Sequence, residues 1–151
     1  MSQSLSQIYL HVIFSTKERR PFLKNPAPRH AMHKCLAKIS NDLKCPCIEA
    51  GGVEDHAHVL SRLSKTMSAS EFVKELKRGT SAWVKDAFPD LQAFYWQNGF
   101  GAFSVSPSHI DALQKYIQEQ EQRHRRESFQ DEFRRLLRKY EIEFDERYVW
   151  D

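Results

Sequence analysis

The chain has 151 residues, 23 lysines and arginines against 20 acidic residues, and a formal net charge of +3. That length suits one domain with one core, and 40% hydrophobic with 12% aromatic residues excludes a disordered chain. No stretch reaches the ~18 apolar residues of a membrane helix. The start "MSQSLSQIYLHVIFS" has no basic n-region, so a cytoplasmic protein without a signal peptide is expected. Cys35, Cys45 and Cys47 are odd in number and tightly spaced, which reads as buried thiols in a reducing compartment.

The first element is a strand over 5–15, where Ile8, Leu10, Val12 and Phe14 alternate with Tyr9, His11, Ile13 and Ser15. A charged, proline-punctuated loop follows. Met32, Leu36, Ile39 and Leu43 then keep helical spacing over 29–43. "CPCIEAGGVED" is a second strand broken at Gly51-Gly52, and "HAHVLSRL" is a third. The segment 66–89 is the clearest helix. Ser68 or Ser70 caps it, Phe72, Val73, Leu76, Trp83 and Val84 form its apolar side, and Pro89 ends it. "AFYWQNGFGAFSVS" reads as a fourth strand or a short hairpin about Asn98-Gly99. Helices are expected over 109–126 and from Ser128 to about Tyr140, before a tail with an acidic excess. The order β-α-β-β-α-β is that of a ferredoxin-like α+β domain, an antiparallel sheet with two helices on one face. One domain over 1–151 is expected, with 127–151 as a C-terminal extension.

The stretch "EDHAHVL" carries the chemistry. Residues i and i+2 of a strand share a face, so His56 and His58 stand side by side with Ala57 and Val59 opposite. Two imidazoles on a rigid strand can hold one divalent metal, with a third ligand from elsewhere. A bare His-x-His also fits a turn cap and a surface histidine. The neighbouring signatures are absent: there is no His-Glu-x-x-His, position 60 is Leu where a histidine triad needs His, and no second His-x-Ser/Thr copy exists. Far down the chain, "YIQEQ" places Tyr116 and Gln120 four residues apart on one helix face.

With "WQNGFGAFSVS" before the last helix pair, these features make the chain resemble the IS200/IS605-type single-tyrosine transposases of the HUH endonuclease superfamily, over almost its whole length. The resemblance implies His56 and His58 as metal ligands, Tyr116 as the nucleophile and Gln120 as the third ligand, with Glu119 and His124 in reserve. It implies Mg²⁺ or Mn²⁺ and no organic cofactor. The expected reaction cleaves and rejoins single-stranded DNA at hairpin-marked ends through a 5′-phosphotyrosine. A homodimer is expected, with Tyr116 serving its own histidine pair or the partner's, and nucleoid association when DNA is bound. Lys17, Arg19, Arg20, Lys74, Lys77 and Arg78 are the candidate phosphate contacts, and Trp96, Phe100 and Phe103 the candidate stacking platforms, with core packing favoured for Phe103. Two alternatives stand beside this: a domesticated tyrosine nuclease acting on repetitive extragenic hairpins, and a non-catalytic nucleic-acid-binding module on the same fold.

Overall fold

The computed structural model describes residues 2–151. Its elements run β1 (Ile8–Ser15), α1 (Pro26–Asp42), β2 (Cys47–Gly52), β3 (His56–Leu63), α2 (Ala69–Ala87), β4 (Gly101–Val105), α3 (Ile110–Gln118), α4 (Gln120–Arg123) and α5 (Phe129–Lys139). The strands form one sheet in the order β2-β3-β1-β4, every neighbouring pair antiparallel. That is the split βαββαβ arrangement expected from the sequence.

Local chemistry sets the helix starts. Asn25 accepts a bond from the Ala27 amide ahead of Pro26, whose missing N–H costs nothing at a first helical position. Ser68 and Ser128 cap α2 and α5 by accepting from the amides of Glu71 and Asp131.

Both faces of the sheet are covered. On one, Leu10, Val12, Phe14, Ala57 and Val59 pack under α1 and α2, which contribute Met32, Leu36, Phe72, Val73 and Leu76. On the other, Ile13 and Phe103 meet Phe129, Phe133, Leu136 and Leu137 of α5. The period of two sends alternate side chains to these two cores, so the central strands are buried along most of their length.

Gly51 and Gly52 bring a further element close. A Cβ on Gly51 would lie 2.8 Å from Ile117 Cγ2, so α3 rests almost on the β2 backbone. Gly52 has φ +150°, and a Cβ there would lie 2.2 Å from the His56 carbonyl oxygen.

Two expectations are corrected. The helix expected over 109–126 breaks at Glu119 (φ −94°, ψ 13°), which leaves Tyr116 on α3 and Gln120 at the start of the one-turn α4. Apolar spacing cannot register a one-residue break that leaves the buried face in phase. In "AFYWQNGFGAFSVS" only Gly101–Val105 is a strand. The earlier part is held by Phe94 and Trp96, which are buried in the helix-side core rather than alternating across a sheet.

Candidate functional site

The site lies under α5 on the face opposite α1 and α2. Register places Ile13 across from His58 and Ser15 across from His56, so His11, two residues before Ile13, shares their face. His56 and His58 are both fully buried. α5 brings Glu132 onto them. Its Oε1 lies 3.2 Å from His56 Nε2, 3.2 Å from His58 Nε2 and 3.1 Å from His124 Nε2. Its Oε2 faces the other way, accepting the Tyr116 hydroxyl and, at 3.1 Å, the Gln120 amide. One carboxylate thus joins the histidines to the tyrosine. Gln120 Oε1 completes the cluster 3.1 Å from His56 Nε2.

Outer partners orient the imidazoles. His56 Nδ1 pairs with Asp55 Oδ1 at 2.7 Å, and His58 Nδ1 with His11 Nε2 at 2.7 Å. Each therefore turns its Nε2 inward. Tyr116 is half-buried, and Arg135 Nη2 donates to its oxygen at 2.8 Å.

The charges follow from this packing. Burial disfavours a charged His56, but hydrogen bonds to Asp55 and Glu132 outweigh it and hold the imidazole at about 9. Burial pushes His58 down. Burial first, then His58, pushes His11 to about 3. Burial would raise Glu132, but the surrounding imidazoles, His58 foremost, hold it well below the usual carboxylate range. Burial and the Glu132 charge push the Tyr116 phenol up, against the opposing pull of Arg135. These shifts favour a charged His56 beside an ionised Glu132, with the Tyr116 phenol kept neutral.

The donor set fits a divalent cation. One ligand atom from each of His56, His58, His124 and Glu132 lies within 4.8 Å of all the others. Ligands at about 2.1 Å from one ion stand roughly 3.0–3.4 Å apart; the three distances from Glu132 Oε1 to the imidazoles match that, and the set as a whole, within 4.8 Å, draws closer around an ion. Three imidazole nitrogens, a carboxylate and an amide oxygen suit Mn²⁺ or another borderline ion better than Mg²⁺, which prefers oxygen donors.

Residues 4–120 match the family model described as Transposase IS200 like. The chain belongs to the IS200-like transposase family. IS200 transposases of Salmonella typhimurium and Salmonella typhi are each 29% identical to it over 115 residues, covering 73% of this chain and 74% of theirs. A crystal structure of a candidate transposase from Deinococcus radiodurans superposes with a TM-score of 0.63 at 22% identity, over 80% of this chain and 98% of that one. A REP-associated tyrosine transposase bound to a REP hairpin gives 0.56 at 17% identity, over 82% of this chain and 74% of that one. At such identities the structural likeness establishes the fold.

In this family member the four residues expected at the centre, His56, His58, Tyr116 and Gln120, lie together within one protomer. Of the reserve ligands, His124 joins the cluster and Glu119 does not. The expected DNA contacts divide. Lys17, Arg20, Lys74 and Arg78 are exposed, and Arg19 is half-buried with its guanidinium 5.8 Å from the Trp150 ring. Lys77 is a correction. Its ammonium donates to the carbonyls of Gln97, Asn98 and Gly99, so it ties down the loop before β4 and is not free for phosphate. Trp96 is another: it is 4% exposed, its indole N–H donates to Thr80, and it packs edge-on against Phe14 and Phe94. Phe103 is core, as favoured, and Phe100 is exposed. Tyr95 is exposed beside Trp96, with Lys17 and Lys85 ammonium groups 5.2 and 5.9 Å from its ring.

Sequence reasoning missed Glu132, Arg135, His11 and Asp55 as members of the site. Glu132 did leave a signal. It stands at the i+3 position of the buried stripe Phe129, Phe133, Leu136 and Leu137, where a carboxylate needs a partner. His11 shares strand parity with Ile13, but which face of β1 would hold the site was not legible before the β1–β3 register.

Proposed function

We propose that the protein cleaves and rejoins single-stranded DNA through a covalent link between Tyr116 and a 5′-phosphate. The observation that carries the reading is the meeting of the Tyr116 hydroxyl and the histidine cluster on one carboxylate, Glu132, within one protomer. His56, His58 and Gln120, with His124 and Glu132, would hold Mn²⁺ or Mg²⁺, which when bound polarises the scissile phosphate. Tyr116 Oη attacks phosphorus and forms a P–O bond while the bond to the 3′-oxygen breaks. Glu132 Oε2 orients the phenol by accepting its hydrogen bond, the phenol proton passes to solvent, and the 3′-oxygen takes a proton from water. The phosphoester is kept, so an incoming 3′-OH reverses the step and joins a new strand without a high-energy cofactor.

Tyr116 would act on the histidine site of its own subunit. A homodimer would join sheets through the edge strand β4, and 127–151 would act as part of the catalytic unit. Lys17, Lys74 and Arg78, with Lys85 and the exposed Tyr95, line or flank a groove of about 550 Å³ beside α2, suited to a backbone with stacked bases. The substrate is single-stranded DNA bearing a hairpin. The likeness to a transposase bound to a REP hairpin also favours action on repetitive extragenic hairpins.

The test is to trap a DNA–protein adduct with hairpin oligonucleotides drawn from DNA flanking the gene, in Mn²⁺, and to map the linked residue. Tyr116→Phe should abolish the adduct and leave binding intact. An adduct of undiminished yield with that variant overturns the mechanism.

A further inference from the structure

The tyrosine is flanked by two arginines that the cleavage reading does not use. Arg135 of α5 donates Nη2 to Tyr116 Oη at 2.8 Å and lies 5.8 Å from the ring centroid. Arg123, the last residue of α4, places its guanidinium carbon 4.3 Å from the centroid of the same ring. Neither is fully committed elsewhere. Arg135 gives Nε and Nη2 to Glu127, and its Nη1 has no partner among the described residues. Arg123 Nε is buried and meets no acceptor among the described residues, a costly state for a charged donor unless a ligand supplies one. Beside them opens a cleft of about 550 Å³ lined by Arg123, Arg125 and Arg126 with Glu119, Gln122 and Glu127.

We propose that Arg135 and Arg123 are catalytic residues that clamp the scissile phosphate from the side of Tyr116 opposite the histidine cluster. The proposal rests on the tyrosine-cleavage reading above. For attack, phosphorus must come to within about 3–3.5 Å of Tyr116 Oη. A donor already 2.8 Å from that oxygen then lies within hydrogen-bonding reach of the non-bridging oxygens. Guanidinium matches phosphate with paired donors and keeps its charge at every working pH. Charge that gathers on the non-bridging oxygens as the Oη–P bond forms and the P–O3′ bond breaks is met by arginine on the side away from the histidines, which would hold a cation able to polarise the phosphate from theirs. The arginines exchange no proton and form no bond, so the balance of the step is unchanged.

The experiment follows adduct formation with a hairpin oligonucleotide that the native protein links covalently. Arg135→Ala should slow the adduct on the order of 100-fold, as loss of one donor to a developing oxyanion does, and Arg123→Ala should slow it about 10-fold. Affinity for the same oligonucleotide should stay within about threefold. Added guanidinium should restore part of the Arg135→Ala rate, and the strand-joining step should slow in parallel. Arg135 is exposed, so the variant keeps its fold, checked by its melting temperature. Adduct rates within about threefold of native for both variants overturn the clamp alone. So does a slow Arg135→Ala variant that guanidinium does not rescue, since that marks a purely structural role. Absence of any adduct with the native protein overturns the clamp together with the cleavage reading.

Discussion

The two faces of the sheet use the same strands for different ends. Under α1 and α2 the packing is almost wholly apolar: Leu10, Val12 and Phe14 meet Met32, Leu36, Phe72 and Leu76. Under α5 an apolar half, Phe129, Phe133, Leu136 and Leu137, adjoins a buried polar half, His11, His56, His58, Gln120 and Glu132. The first face supplies most of the hydrophobic stabilisation. The second spends part of its area on groups that are costly to bury unless fully partnered. The candidate site sits where the smaller core leaves room for it.

Substitutions at the two faces sharpen this contrast. The largest effect is expected on the helix face, where Phe72→Ala should cost about 3–5 kcal/mol in urea denaturation and lower the whole transition. Phe133→Ala on the α5 face should instead abolish adduct formation while the far-UV signal of the sheet and of α1 and α2 persists. Equal global unfolding by both variants would erase the distinction. Next comes Glu132→Gln. It should weaken Mn²⁺ binding by roughly 10–100-fold in calorimetry, the scale of loss when a group supporting a metal site is removed. Unchanged or tighter Mn²⁺ binding would mark the carboxylate as a plug over the histidines.

The last effect, read only at the two ends of the pH range, is in pH dependence. On α1, burial followed by the charges of His30 and Arg29 lowers His33 to about 4. The native state there binds fewer protons than the unfolded chain, so His33 costs stability as pH falls from 6.5 to 4. His56 has the opposite sign. At about 9 its contribution is complete below pH 6.5 and is lost as pH rises through 9. In metal-free protein, His33→Leu should flatten the acid limb by about 1–3 kcal/mol, and His56→Gln should flatten only the alkaline limb. Parallel profiles for the two variants would refute the assignment.

Much of this was legible in the sequence, because alternation and helical spacing are local. The element order and the shared face of His56 and His58 follow from periods of two and 3.6. The meeting of Tyr116 with those histidines came through family resemblance, since no local pattern connects 58 with 116. Trp96 and Lys77 misled for one reason: aromatic and basic residues look alike in sequence whether they face solvent or, like these, a Thr80 hydroxyl and three backbone carbonyls. Glu132 was passed over because α5 reads as an amphipathic helix with one misplaced charge, and the charge acquires a meaning only against the opposite sheet face.

The bare backbone at Gly51 has a consequence for the tyrosine. Ile117 lies where a side chain at 51 would stand, and Tyr116 precedes Ile117 on the same turn of α3. The seat of α3, and with it the distance from Tyr116 to the histidines, thus depends on position 51 carrying only a hydrogen atom. A Gly51→Ala methyl should act as a shim under α3 and lift the Tyr116 phenol off Glu132 without itself touching either residue.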